Sequence, residues 1–596
     1  MHAKDMARLL EEAASLLEIA GGNPHKARAF QRAARTLRGL GDTDFDGMVA
    51  SGKLLEQPGI GTAIYGHVRE MARSGSFQDL EALRKQVPDS QKRMLKIPGL
   101  SAKRVRLLAE ALDIRTTQGL EHAIASGRLA AVKGFGPKTI ARIREGIALV
   151  HERSRLIRYD IAHTRAESLR LYLADALARP VYITGTLRRF NEVVPSVKLL
   201  LQSTRLDADK AAVRAYPGWL KVADIDAGTV AFQLSENISG AIRLVPPASL
   251  YTQLLFMTGA SRHITHLQQR ARRMGMKLTA EGLYMDGRQL EISDERQIYT
   301  YLDIPQYIAP ELREDLGEIA AALDGRLPQL VTCRDIRGVF HCHTTMSDGT
   351  VPLEKLVTIA REHNLSYIGV ADHSQSAPYA NGLDEERVKQ QWARIDAINS
   401  RQRDVRLLKG VESDILPDGR LDYGNAFLAG FDFVIGSIHS HFSLDRDRMT
   451  RRIITALGHP YLSFLGHPTG RLLQERSPYP VDMEAVIDAA IANGKAIEIN
   501  CHPMRMDIDW HTLKAALAKG LISLISLDAH DRVEYNHLHI GCRIARKAWA
   551  RPGDILNCRS ADDVLAFFAA QRSGCSRQVN TPDTTTAKDA GWNPTR

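Results

Sequence analysis

Seven short stretches decide the fold of this chain: GVFHCHTTMSDG (338–349), YIGVADHS (367–374), LLKGVESDI (407–415), FVIGSIHSH (433–441), FLGHPTG (464–470), AIEINCH (496–502) and LISLISLDAH (521–530). Each is an apolar, mostly β-branched run that ends in His, Asp or Glu, and each is followed by a polar or helix-like segment. Such alternation predicts repeated βα units around a parallel sheet. About seven strands in roughly 200 residues approach a closed (β/α) barrel, whose chemistry sits at the C-terminal ends of its strands. The His, Asp and Glu residues fall at those ends.

These side chains point to a metal cluster. His341 and His343 are two residues apart on an expected strand, so alternation would put both on one face. Asp348 follows in the loop, and His373, Glu412, His439, His467, Asp528 and His530 add one or two candidates per strand end. Mixed imidazole and carboxylate donors suit zinc, manganese or iron better than magnesium or calcium alone. Nine candidates exceed the needs of one ion, so two or three metals are expected, with a carboxylate such as Glu412 bridging. Clustered metals generate hydroxide at neutral pH and neutralise charge on a phosphate. Isolated histidines are usually structural; a set at successive strand ends is not readily explained that way.

HCHTTMSDG, ADHS, GVESDI, GSIHSH, GHPTGR and LDAH resemble the PHP (polymerase and histidinol phosphatase) domain, and are most similar to the version fused to bacterial family X DNA polymerases. The resemblance implies a trinuclear phosphoesterase site, a distorted (β/α)7 barrel over 333–572, and manganese or zinc as the metal. All nine ligand positions of that family carry the expected residue type here.

The chain has 596 residues, 44% hydrophobic and 25% charged, with net charge +10. This is room for several domains. No apolar run of membrane-spanning length is present, the amphipathic start MHAKDMARLLEEA reads as a helix and not as a signal peptide, and six cysteines without paired spacing fit a reducing cytosol. A cytoplasmic protein, monomeric and associated with DNA, is expected. Over residues 1–150, 24 Lys and Arg face 16 Asp and Glu, an excess of 8 that favours a polyanionic partner.

That same region reads as helical, split into 1–80 and 81–150, and carries three repeats: QPGIGTAIYGHVREM (57–71), IPGLSAKRVRLLAEAL (97–112) and VKGFGPKTIARIREGI (132–147). Each is an apolar residue, a Gly-containing turn and a basic amphipathic helix. Backbone N–H groups at such a helix start accept a phosphate. These are helix-hairpin-helix motifs, which grip the DNA backbone without reading sequence. The DNA-binding candidates are Gly59, Gly61, Gly99, Lys103, Gly134, Gly136 and Lys138, with Arg104 and Arg142 trailing. NPHKARAFQRAARTL (23–37) resembles the small N-terminal domain of family X polymerases, in which Lys26 matches a phosphate-contacting lysine. The lyase lysine of that domain falls at His67, and the lysine before it at Ala63; a Schiff base needs a primary amine, so lyase activity is not expected.

Residues 151–325 resemble the palm and thumb of the same family. Within VYITGTLRRFNEVVPSVKLLLQS (181–203), Gly185, Thr186 and Arg189 match positions that hold nucleotide phosphates. FMTGASRH (256–263) matches the segment beside the incoming sugar, and MKLTAEGLY and IAPELRED match the thumb. A polymerase palm needs three carboxylates to hold two magnesium ions. Those positions are Ser196, Lys198 and Ala241, so magnesium is not expected there. Asp207 and Asp209 read as a helix cap, and Asp224 and Asp226 as a hairpin turn. The link 321–333 leads into the barrel, and the polar tail 573–596 is expected to be disordered.

Four functions compete on these grounds. The leading one is a DNA-repair nuclease acting on gapped, nicked or 3′-ended DNA, a 3′→5′ exonuclease with abasic-site cleavage as an associated activity, above a degenerate palm. The others are a gap-filling polymerase with a proofreading barrel, a small-molecule phosphatase of the histidinol-phosphate type, and a DNA-binding scaffold without catalysis.

Overall fold

A computed structural model describes residues 3–39, 45–154, 156–235 and 237–573; all but the first residue of the expected disordered tail lies outside them. The seven apolar runs form parallel strands at Gly338–Cys342, Tyr367–Val370, Arg406–Asp414, Phe433–Ser437, Phe464–Leu465, Ala496–Asn500 and Ser523–Ala529, hydrogen-bonded in sequence order and closed into a barrel. Nearly every strand residue is buried, because helices cover the outside and side chains fill the inside. The filling is aromatic: Phe340, Phe433, Phe464 and Phe568 pack with ring centroids 5.4–6.2 Å apart. A Cβ on Gly410 would lie 2.1 Å from the Phe433 ring, so only glycine leaves the plug its space. With that part of the barrel packed solid, polar chemistry is confined to the C-terminal ends of the strands.

The palm is a five-stranded sheet in the order Val181–Ile183, Val197–Gln202, Ile238–Val245, Thr229–Ser235, Lys221–Asp226. The second and third strands are parallel and place Lys198 directly opposite Ala241. The thumb follows, with helices Leu250–Thr258 and Ser261–Arg273. A buried ion network ties the two together: Glu295 binds Arg313 at 2.6 Å and Arg188 at 2.9 Å.

Palm and barrel share one contiguous apolar core running from Ile157 to Ile555. Polar contacts reinforce it. Arg471 of the barrel binds Glu192 of the palm at 2.7 Å, the Gln474 amide donates to the Leu156 carbonyl at 2.6 Å, and Lys547 donates to the Arg189 carbonyl at 2.8 Å.

The N-terminal region is helical among its described residues, around a separate core that includes Leu10, Phe30, Leu80 and Val105. Its three repeats fold alike. In each, the residue before the turn accepts a hydrogen bond from the residue three on: Gln57 from Ile60, Ile97 from Leu100 and Val132 from Phe135. Gly59, Gly99 and Gly134 take φ of 83°, 94° and 103°. A type II turn requires that left-handed residue at its third position and favours proline before it, as at Pro58 and Pro98. Among the described residues no helix is long and apolar enough to cross a membrane.

Candidate metal centre and nucleic-acid surfaces

All nine side chains expected at strand ends come together. They form four overlapping groups whose ligand atoms lie within 4.8 Å of one another: His343, Asp348, His373 and His530; His341, Glu412 and His467; His341, His343 and Asp528; His373, Glu412 and His439. Glu412 is the hub. Its Oε1 lies 3.2 Å from His341 Nε2, 3.2 Å from His439 Nε2 and 2.9 Å from His467 Nε2. Its Oε2 lies 3.0 Å from His373 Nδ1 and 3.6 Å from His343 Nε2. Asp528 Oδ1 sits 3.5 Å from His343 and 3.7 Å from His341, and Asp348 Oδ1 sits 3.4 Å from His530 and 3.7 Å from His373.

The first strand reaches this cluster by a different route from simple alternation. His341 has φ of 61°, and pairing on both sides of it changes register. The strand ends at Cys342, so His343 lies beyond it. A bulge, not the pleat, brings the two rings to 5.2 Å. Asp528 likewise has φ of 51° inside its strand. Left-handed backbone at a non-glycine residue costs on the order of 1–3 kcal/mol and persists where the surroundings over-determine it; here it aims two ligand candidates at one point.

The residues fit a metal cluster. Six buried atoms, His341 Nε2, both ring nitrogens of His343, His373 Nδ1, His467 Nδ1 and Glu412 Oε2, make no hydrogen bond. Buried polar atoms are almost always satisfied, and converging imidazole and carboxylate donors are satisfied by cations. Without metal the charges balance internally. Burial opposes protonation of His341, His439 and His530, but neighbouring carboxylates outweigh it: His341 is raised well above its ordinary value, His439 to about 10 and His530 to about 9. Burial, with His530 and His373 alongside, pushes His343 down to about 3.

Outer residues fix the rings. His341 Nδ1 meets Glu498 at 2.9 Å, His439 Nδ1 meets Asp414 at 2.5 Å, and Arg505 Nε forms an ion pair with Asp528 at 2.9 Å. Asp372 accepts from Thr344 and Ser347, which holds the loop bearing Asp348. Such partners set the tautomer of a ligating histidine. Sequence reading passed over Glu498, Asp414, Asp372 and Arg505. The available signal was a charged residue within or just beyond an otherwise buried apolar run, as in AIEIN.

In the palm, Ser196 and Lys198 line a cavity of about 270 Å3 with Gly185, Thr186, Arg189, Phe256, Met257 and Gly259; its lining holds two cations and no carboxylate. Arg189 is partly committed: its Nε donates to Glu314 at 2.8 Å and its guanidinium to the Thr258 carbonyl at 2.5 Å. These bonds tie palm to thumb and use two of its five N–H groups, and Arg189 still lines the cavity beside Gly185 and Thr186. Asp209 corrects the expected cap: it is buried and accepts from Arg179 and Ser203. Asp224 binds Lys210 and Arg214, and Asp226 binds Arg243 in its hairpin.

In the N-terminal region Gly61 starts the helix Thr62–Ser74, and a Cβ on Gly61 or Gly136 would meet nothing within 4 Å. Lys103 and Lys138 are exposed. Lys26 pairs with Asp79 at 2.6 Å. His67 packs against both the Phe30 and Phe77 rings, which also touch each other, and Asp79 is 3.4 Å away. Helix Pro24–Gly39, which carries Lys26, Arg28, Arg32, Arg35 and Arg38, packs against the turn Pro378–Ala380 at the barrel mouth.

Comparison with known families matches a helix-hairpin-helix domain over 1–77, a SAM-like helix-hairpin-helix tandem over 91–148, a DNA polymerase beta thumb over 253–314 and a PHP domain over 340–502. The DNA polymerase/3′-5′ exonuclease PolX of Bacillus subtilis (strain 168) is 31% identical over 577 residues, 95% of this chain and 99% of that protein. Two proteins described as probable phosphatases match part of this chain: one of Caldanaerobacter subterraneus, 32% identical over 167 residues (27% of this chain, 60% of its own), and one of Caldicellulosiruptor bescii, 26% over 240 residues (38% and 93%).

Proposed function

Since this chain belongs to the bacterial family X DNA polymerases that carry a PHP domain, we propose that it is a DNA-repair nuclease in which the barrel hydrolyses phosphodiesters and the palm no longer polymerises. The single observation that carries the reading is the contrast between its two metal sites: nine clustered donors in the barrel, and Ser196, Lys198 and Ala241 where a palm needs carboxylates. The polarity is 3′→5′, by analogy with the PolX relative; abasic-site cleavage is the associated activity.

Bound transition metals would lower the pKa of water and take up charge on the phosphate. Glu412 is placed to bridge, since five imidazoles surround its two oxygens. Glu498 and Asp414 hold the Nδ1 protons of His341 and His439, which leaves each Nε2 lone pair for coordination. Arg505, partly exposed beside Asp528, supplies a fixed cation next to the cluster for a phosphate oxygen. The exposed cations around the three Gly turns hold the duplex, and helix Pro24–Gly39 carries that basic surface to the barrel mouth.

The decisive experiment incubates purified protein and manganese with a labelled primer–template, with and without nucleotides. Shortening of the primer in both conditions, lost in His341→Ala, is expected. Nucleotide-dependent extension would overturn the inactive palm. Turnover of small phosphate monoesters with intact DNA would move the assignment to a phosphatase of the kind named among the chain's relatives.

A further inference from the structure

The turn Pro378–Ala380 follows the second barrel strand, packs against helix Pro24–Gly39 and presents a half-exposed aromatic ring. Tyr379 is 49% exposed, while Ala377 and Ala380 on either side are buried. Its ring lies 6.3 Å from that of His373 and 6.5 Å from that of His439, two of the clustered histidines. Its hydroxyl makes no hydrogen bond among the described residues.

The loop that presents it is pinned by hydrogen bonds on both sides of the turn. Ser376 N–H and the Gln375 amide donate to Asp422 at 2.7 and 2.8 Å. Asn381 reaches the Met346 and Ser347 carbonyls at 3.2 Å, and Arg387 grips the Asn381 and Gly382 carbonyls at 3.1 and 3.2 Å. A Cβ on Gly382 would come within 1.9 Å of the Ser374 carbonyl, so the backbone has no slack. Holding the backbone under a half-exposed ring this firmly beside a polar cluster is what a stacking platform requires: the loop needs no ordering when a ligand arrives.

Arg505 lies on the other rim. It follows the sixth strand and Tyr379 follows the second, and in a closed seven-stranded barrel those strand ends face each other across the mouth. The cluster therefore has a fixed cation on one side and a fixed aromatic face on the other. A phosphate beside Arg505 and a planar base against Tyr379 are the two halves of one nucleotide.

We propose that Tyr379 stacks on the terminal base of the strand being shortened, and so selects nucleic-acid ends over small phosphate esters at the barrel site. The proposal rests on the nuclease reading above. Base–aromatic stacking is worth about 1–3 kcal/mol per base, roughly a five- to 150-fold change in affinity.

The test uses the full chain with manganese and two single-stranded oligonucleotides, one ending in an ordinary 3′ nucleotide and one in a 3′ tetrahydrofuran abasic residue. Tyr379→Ala should raise KM on the ordinary end by at least about fivefold with kcat little changed, Tyr379→Phe should restore it, and on the abasic end Tyr379→Ala should match the parent protein. Equal metal content of the variants checks that the cluster is intact. An unchanged KM for Tyr379→Ala, an equal loss on both ends, or failure of Tyr379→Phe to restore KM would overturn the stacking role and leave the nuclease reading standing. A parent protein that shortens neither oligonucleotide would overturn both.

Discussion

Glu498→Gln removes one charge and almost no volume, and the geometry dictates its effect. Glu498 Oε1 accepts from the His467 backbone N–H and from Asn500 Nδ2 at 2.9 Å, while Oε2 faces His341 Nδ1 at 2.9 Å. A backbone N–H can only donate, so the glutamine oxygen must take the Oε1 position and its NH2 must face His341. His341 then has to accept at Nδ1, which moves the proton of the neutral ring to Nε2, the nitrogen 3.2 Å from Glu412 and 3.7 Å from Asp528. A protonated nitrogen cannot bind a metal. Returning the ring to the useful tautomer opposes two N–H groups and forfeits a hydrogen bond to a charged partner, about 1.5–3 kcal/mol. That corresponds to roughly ten- to 150-fold in metal affinity, in line with the ten- to hundred-fold typical of partners behind metal ligands. Chelator competition with direct metal analysis reads the affinity, and a manganese titration of DNA hydrolysis reads its consequence as a shifted half-saturation. Parent-like affinity in a folded Glu498→Gln protein would refute the argument that Glu498 sets the His341 tautomer.

Metal uptake should release protons. His341, His439 and His530 are held protonated at neutral pH without metal, His439 to about 10 and His530 to about 9, and each must lose a proton to coordinate. About three protons should therefore leave per cluster filled at pH 7.5, and affinity should go on rising with pH through about 9 and 10, as His530 and then His439 lose their protons, instead of levelling near the 6.5 of free imidazole. Calorimetry in buffers of different ionisation enthalpy counts them, and net release near zero would sink the charge assignment. Replacing exposed Lys103, Lys138 and Arg142 with alanine should lower the slope of log affinity against log salt by about 2.7, at roughly 0.9 per lost phosphate contact; an unchanged slope in a salt series on gapped DNA would remove the Gly-turn helices from the interface. Burial, with Arg572 nearby, depresses Lys495 to about 8. The unfolded chain then binds more protons between pH 8 and 10.5, so this group's contribution makes stability rise with pH across that window, by on the order of 3 kcal/mol. Lys495→Met should be the more stable protein at pH 7 and should lose that advantage by pH 10; denaturant titrations showing a constant difference would contradict it.

Runs such as YIGVADHS and FVIGSIHSH announced both a buried parallel strand and a polar strand end, because burial on both faces demands continuous apolar residues and chemistry demands a break in them. The Gly turns at 59, 99 and 134 were equally plain, since a left-handed turn position selects glycine locally. Local pattern could also show that Ser196, Lys198 and Ala241 are not carboxylates. What it could not show depends on contacts across the fold. His341 meets Glu498 from 157 residues away, and only closure of the barrel makes that glutamate a partner of a ligand candidate and not one more polar residue in a strand. The bulge at His341 follows from the same closure, because alternation describes an isolated strand and not one bent to converge with six others. Arg189 matched a phosphate site by its position in the chain, and only the folded protein shows that it also ties the palm to Glu314 and Thr258. Periodicity and turn chemistry are written in neighbouring residues; hydrogen-bond partners and the tautomers they impose belong to the packed whole.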